Sequence, residues 1–311
     1  MKKFFKILLS VFVISLAFAS CASNGSSTKA KLTKTSSRAF WRIDGVDAQG
    51  NPSTVYIQGT FHLGDERIFP LSEEVQNAFA NADRHAGEMS TQSYADFAAY
   101  GSVLNAPNKD GKIITDYLTD EENEFLKSVF GENLSLVIVL EPWQITNALG
   151  LLPYLNTGLS AEYGLDNTFI AALSQNGKTW EGLDTVETQI NVLTFGDYDT
   201  QIAMAKDSIK VMIDEKTNET TVQTTVDLYE AYVADNMKKM TKLLKSDIPA
   251  DAPAYYKEYN EMLWDNRNKD WAEDIANYLA QGGTTFIFAG CGHWLGDSSV
   301  FQYMKKNGTL K

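Results

Sequence analysis

The spacing of apolar positions changes period several times along the chain, and each change marks an element. Ala39 to Gly45 (AFWRIDG) and Thr54 to Gly59 (TVYIQG) are β-branched and aromatic runs separated by the polar turn DAQGNPS, which predicts a hairpin. From Ser72 to Asp83, Val75, Ala78, Phe79 and Ala82 recur at helical spacing behind Pro70 and an N-terminal Ser-Glu-Glu. The short run RHAGEM follows at once, so this stretch reads as a β-α-β unit. A right-handed crossover would set RHAGEM parallel and close to the strand that ends at His62. Thr119 and Glu122 form a capping box for a helix through Phe125, Leu126, Val129 and Phe130, with Gly131 as its stop.

Helical spacing dominates from about Glu141 to Leu279, interrupted by one strand at Thr179 to Leu183. A last strand, Thr284 to Ala289 (TTFIFA), precedes a terminal helix from Ser299 to Lys306 that ends in Asn307-Gly308. The order predicts an α/β fold: a mixed, largely parallel sheet flanked by helices, in two related halves, with a mostly helical middle region.

The chain ends add a location. Residues 1–20 carry Lys2, Lys3 and Lys6 before an unbroken apolar stretch that closes on small residues before Cys21. That is the pattern of a lipoprotein signal peptide, with Cys21 as the lipidated mature N-terminus. Phe18 stands where Leu is more usual, so an ordinary cleaved signal or a retained anchor is the alternative; each puts the domain outside the cytoplasm. Residues 21–38 are rich in Ser, Thr and Lys and read as a flexible tether, leaving 39–311 as one domain. The expected setting is an exported lipoprotein facing the periplasm or cell exterior, held to a membrane through its N-terminal lipid. With Cys21 acylated, Cys291 is the sole free thiol and no intrachain disulfide is available. The net charge of −13 becomes more negative once the leader's lysines are removed, which argues against nucleic-acid partners. Oligomeric state is not legible.

Candidate chemistry comes from an internal repeat. VYIQGTFHLGDE and FIFAGCGHWLGDS both read strand, Gly, two residues, His, then Leu-Gly-Asp, with Trp294 inserted in the second. The chain has three histidines, and two of them, His62 and His293, hold the same place in these segments. Gly59 and Gly290 would let the chain turn with positive φ or let another backbone or a ligand come close. The loops lie at the carboxyl ends of strands, where open α/β sheets bind ligands. Glu88 closes a strand expected beside His62, in a place where an inner strand should be apolar. His85 precedes it by an odd number of residues, faces the other side and reads as structural. Arg267 falls within the apolar stripe of Tyr259, Leu263, Trp264, Trp271, Ile275 and Leu279, and a cation there needs an anion: Glu88, a substrate carboxylate or another acid. Asn268 adjoins it. Asp166 in YGLDNTF is a helix N-cap or a pocket residue, the cap being favoured. Cys291 matches Thr60 in the first turn, so small size explains it better than a nucleophile does.

These segments, taken in order, resemble the TraB/GumN family, related to the Tiki proteins and more distantly to the erythromycin-esterase and ChaN-like proteins. The likeness runs nearly end to end: WRIDG and VYIQGTFHLG, DRHAGEMS with Glu88, YGLDNTF, GKTWEGLDTVETQ, WDNRNKDWAEDI, and FIFAGCGHWLGDSSVFQYMKKNG. It implies two related halves with His62, Glu88 and His293 converging on one pocket, supported by Arg267 and Asn268. For Tiki-like members it implies metal-dependent protease activity, with Mn or Co as the ion. Asp184 stands where the family has Glu, and no role is assigned to it. Two neutral imidazoles and a carboxylate suit a divalent metal with positions open for water. The expected function is therefore a metal-dependent hydrolase, most plainly a peptidase, with His62, Glu88 and His293 as ligands and Arg267 neutralising an anionic group. Glu88 as general base, or a metal-free site with His as base, uses the same residues. The rival is a lipoprotein that binds or sequesters a peptide or small molecule without turnover.

Overall fold

The computed structural model describes residues 29–104, 106–154, 157–244 and 252–311. Residues 1–20, which the sequence reads as a signal peptide, and Cys21 lie outside the described residues. Six strands form one sheet: β1 (Lys31–Lys34), β2 (Phe40–Val46), β3 (Pro52–Thr60), β4 (Arg84–Met89), β5 (Glu181–Asp184) and β6 (Gly283–Gly290), in the order β1-β2-β3-β6-β4-β5. The β1-β2 and β2-β3 pairs are antiparallel, and β3-β6, β6-β4 and β4-β5 are parallel. The mixed, largely parallel sheet flanked by helices is the one the periodicity predicts.

Two expectations change. The tether 21–38 is structured over its second half: Lys31–Lys34 pairs with Trp41–Asp44 of β2, and Ala30 bridges to Leu310. A polar run can join a sheet when an open edge supplies backbone partners, and Leu32 packs its side chain on the core. The second change concerns β4, which is not beside β3, because β6 lies between them. β6 carries Phe286, Ile287, Phe288 and Ala289, all buried, and such a run is stable only at the centre of a sheet covered on both faces. The crossover from β3 leaves that slot open, so the two Gly-x-x-His turns leave adjacent parallel strands.

The crossover helix Glu73–Ala80 is capped by Ser72, whose side chain accepts from the Val75 N–H. The Thr119–Glu122 capping box closes the helix Asp120–Phe130, which stops at Gly131 with φ 53°. Buried residues form two clusters. The larger joins the sheet to the helix Arg267–Gln281 through Ile57, Phe286 and Trp271, and the smaller gathers Ile114, Leu126, Ile145, Leu149, Ile202 and Ile209 among the middle helices. No helix of the described residues is long and apolar enough to cross a membrane.

Candidate functional site

The repeated spelling does not produce a repeated environment. β3 and β6 align Gly59 with Ala289 and Thr60 with Gly290, so the motif glycines are offset by one residue. Neither has a positive φ; both permit close approach instead. A Cβ at Gly59 would meet Cys291 Sγ at 3.0 Å and Trp41 at 3.1 Å, and one at Gly290 would meet Glu88 Oε1 at 3.0 Å and His293 Cδ2 at 3.6 Å.

After β3 the chain turns outward, leaving the His62 side chain 72% exposed, whereas after β6 a short helical turn, Cys291–Trp294, tucks His293 inward to 4% exposure. His62 Nδ1 lies 2.9 Å from Asp166 Oδ2, and Thr60 Oγ1 donates to Asp166 Oδ1 at 2.5 Å. The hydrogen bond to Asp166 raises the His62 pKa to about 9, making it an imidazolium at neutral pH. His293 packs its ring at 4.2 Å from Trp271 and 4.8 Å from Trp264. Its Nδ1 meets Asn268 Oδ1 at 2.5 Å, and Asn268 Nδ2 donates to Ser298 O, which fixes the amide's orientation. The proton therefore sits on Nδ1 and Nε2 keeps its lone pair. Burial lowers the His293 pKa to about 3, so this ring is neutral.

Glu88 stands between the two turns. Its Oε1 accepts from the Gly290 N–H at 2.9 Å and its Oε2 from Arg267 Nη2 at 2.8 Å. Burial pushes its pKa up, but His293, Arg267, His62 and the Gly290 N–H pull it down to about 2. Because His293 is neutral near pH 7, the Arg267 ion pair is the main influence there. Arg267 itself is 6% exposed, and its Nε and Nη2 also donate to Asp184 Oδ2 at 3.0 and 2.7 Å. Trp271 Nε1 holds the other oxygen of Asp184 at 2.7 Å. The segment before Arg267 is a π turn, Glu261–Asn266, which interrupts the expected continuous stripe and carries Trp264 over His293.

His62, Glu88 and Asp166 line one cavity of about 210 Å³. His293 is not on its wall; it stands behind Glu88 across Gly290. Of the residues expected to converge, two histidines and a glutamate, one histidine faces the cavity. Asp166 is a pocket residue and not the favoured N-cap: Gly164 holds the cap position, and the first turn of the helix Leu165–Gln175 carries Asp166 to His62. The Arg267 question resolves to two acids, Glu88 and Asp184. His85 donates from Nε2 to Phe79 O at 2.8 Å on the other side, and Cys291 is buried with its thiol pKa pushed far up by that burial. The role of Asp184 as a partner of Arg267, and Gly164 altogether, escaped the sequence reading. The signal for Asp184 was an acid closing a strand in register with Met89 of β4, and for Gly164 a glycine packed on the His62 carbonyl.

The donor set has the chemistry of a metal site in part: each imidazole has Nδ1 engaged and could offer Nε2. The arrangement does not fit. Among the described residues no group of three His, Cys, Asp or Glu side chains is placed to hold an ion, and His293 is off the cavity wall that His62 and Glu88 share.

Fold and site thus define a mixed α/β protein with a charged His-Glu cavity at the carboxyl edge of a largely parallel sheet. The chain belongs to the TraB/PrgY/gumN family, whose model matches residues 39–310. It is 26% identical over 313 aligned residues to a protein of Treponema pallidum (strain Nichols) described as uncharacterized, covering 98% of this chain and 91% of that one. No solved structure matches the chain.

Proposed function

We propose that this protein is a hydrolase of the cell envelope, acting on peptide bonds, with the His62–Glu88 cavity as its active site. The observation that carries the reading is one cavity holding two opposite charges, each oriented by its own partners: Asp166 on His62, Arg267 and Gly290 on Glu88. His62, as an imidazolium, would donate its Nε2 proton to the carbonyl oxygen or the leaving nitrogen. Glu88, kept ionised by Arg267, would accept a proton from the water as its oxygen bonds to the carbonyl carbon. The C–N bond then breaks as nitrogen takes the His62 proton, and the proton on Glu88 returns through solvent to His62, although at a pKa of about 2 Glu88 is a weak base. His293 and Asn268 would buttress the wall behind it. No step is assigned to a metal.

One observation favours binding without turnover as the second reading. Neither His62, near 9, nor Glu88, near 2, is tuned to neutral pH as an efficient acid or base would be. The experiment is peptide-library cleavage by the purified protein, with and without chelator, alongside its metal content. Cleavage that falls by about 10²-fold or more in Glu88→Gln and His62→Ala, with the fold intact by circular dichroism, supports the hydrolase. Stoichiometric Mn²⁺ or Co²⁺ lost in His62→Ala and His293→Ala, with chelator-sensitive cleavage, would assign the metal-dependent form. Tight peptide binding with no cleavage overturns the hydrolase in favour of sequestration.

A further inference from the structure

The polar groups around the catalytic pair have a common bias. Asn167 Nδ2 donates to Ala161 O at 3.0 Å, and Gln189 Nε2 donates to Asp184 Oδ2 at 2.6 Å. Both side chains line the cavity, and among the described residues no N–H or O–H donates to Asn167 Oδ1 or Gln189 Oε1. Each amide thus commits one N–H to the protein and keeps its carbonyl oxygen, together with its second N–H, for a ligand, so the direction of the site's preference is set by charge. Two carboxylates, Glu88 and Asp166, share that lining. Including Asp184 behind it, three acids face two cations, His62 and Arg267, leaving the site net negative. Tyr94 at the rim senses this: burial first, then the charges of Asp166 and Glu88, raise its pKa to about 12. The remaining walls, Met89 and Phe288, are apolar. At about 210 Å³ the space is smaller than the usual pocket for a drug-sized ligand and suits roughly one amino-acid residue.

We propose that this cavity receives the amino-terminal residue of a peptide, its ammonium and N–H groups meeting Asn167 Oδ1, Gln189 Oε1 and the carboxylates, and its aliphatic side chain meeting Met89 and Phe288. The oxygens can accept from donors, the net charge favours a cation, and the volume matches about one residue. The strongly acidic chain as a whole attracts such cations at long range. A carboxyl terminus would instead meet two carboxylates, Glu88 and Asp166, against one cation, His62, among the described residues of the cavity wall. This inference deepens the peptide-hydrolase reading and rests on it for turnover, not for binding.

Calorimetric titration with three probes tests it: leucinamide, which has an amine and no carboxylate; N-acetyl-leucine, with the reverse; and N-acetyl-leucinamide, with neither. Leucinamide is expected to bind at least tenfold more tightly than either acetylated probe, and Asn167→Leu, at an exposed position, to weaken it roughly three- to tenfold with little change for N-acetyl-leucinamide. Equal affinity for the three probes, preference for N-acetyl-leucine, or no binding of any overturns the proposal. Matched peptides with free and acetylated N-termini separate the two readings. Leucinamide binding with neither peptide cleaved removes the hydrolase and keeps this inference, whereas equal cleavage of both keeps the hydrolase and removes this inference.

Discussion

Arg267 is the residue on which the charge arrangement turns, because Glu88 and Asp184 are both drawn to it and Asp184 has a side chain only 2% exposed. Arg267→Met would leave two carboxylates in a poorly solvated place without their cation. Removing one partner of such a buried network costs about 3–5 kcal/mol, so its urea midpoint should fall well below that of wild type. Arg267→Lys keeps the charge but not the fork that reaches both acids, and should recover only part of the loss. His62 offers a cleaner electrostatic test. Its pKa is raised from 6.5 to about 9 by Asp166, so this pair stabilises the fold fully below about pH 6.5 and loses that contribution as pH rises through 9. An NMR titration should put the His62 midpoint near 9 in wild type and back toward 6.5 in Asp166→Asn; an unchanged midpoint would remove Asp166 as the cause. Gly59→Ala should cost about 1–3 kcal/mol by overpacking, since its Cβ would press on the Cys291 backbone and on Trp41. The sequence singled out both glycines, and the physical reason proved to be close approach. It could not show that matched histidines face opposite ways, because that depends on Trp264 and Trp271 closing over one of them.

Among the elements, β3, β4, β6 and the crossover helix were legible because their apolar periods are strong and bounded by turn residues. The order of the strands was not, since nothing local tells β4 to leave a slot for a strand almost two hundred residues later. The helix Arg267–Gln281 was read correctly as the carrier of Arg267, but the π turn before it was invisible: inserting a wider turn changes which side chains align without changing composition. That helix also carries a cost. Burial, followed by the charges of Asp270, Asp184, Glu273 and Glu181, raises the Asp274 pKa to about 6. An acid whose pKa is higher folded than unfolded binds its proton more tightly in the native state, so stability falls as pH rises from about 4 to 6 and stays reduced above that. Asp274→Asn should therefore raise the melting temperature at pH 7.5, with the gain shrinking toward zero below pH 4. A gain independent of pH would mean that packing, not charge, is responsible.

For the whole molecule, the division of the apolar interior into two clusters predicts a hierarchy of stability. The site is built on the larger cluster: β3, β4 and β6 bring in the two turns and Glu88, and the helix Arg267–Gln281 locks Arg267 and Asn268 against them. The smaller cluster holds the middle helices Asp120–Phe130, Pro142–Gly150 and Tyr198–Ile213 together around Ile145, Leu126 and Ile209. Regions with fewer buried contacts open at lower free energy, so these helices should exchange their amide hydrogens faster than β3 and β6. Ile145 is fully buried, and truncating such a side chain costs about 2–5 kcal/mol. Ile145→Ala should speed exchange throughout the small cluster while leaving the sheet amides protected and the His62 titration near 9. If β6 exchange rose in parallel with the helices, the two clusters would be one cooperative unit. The cavity, whose wall outside the sheet comes from other helices, Thr91–Ala99 with Tyr94 and Val186–Leu193 with Gln189, would then depend on the middle helices for its stability.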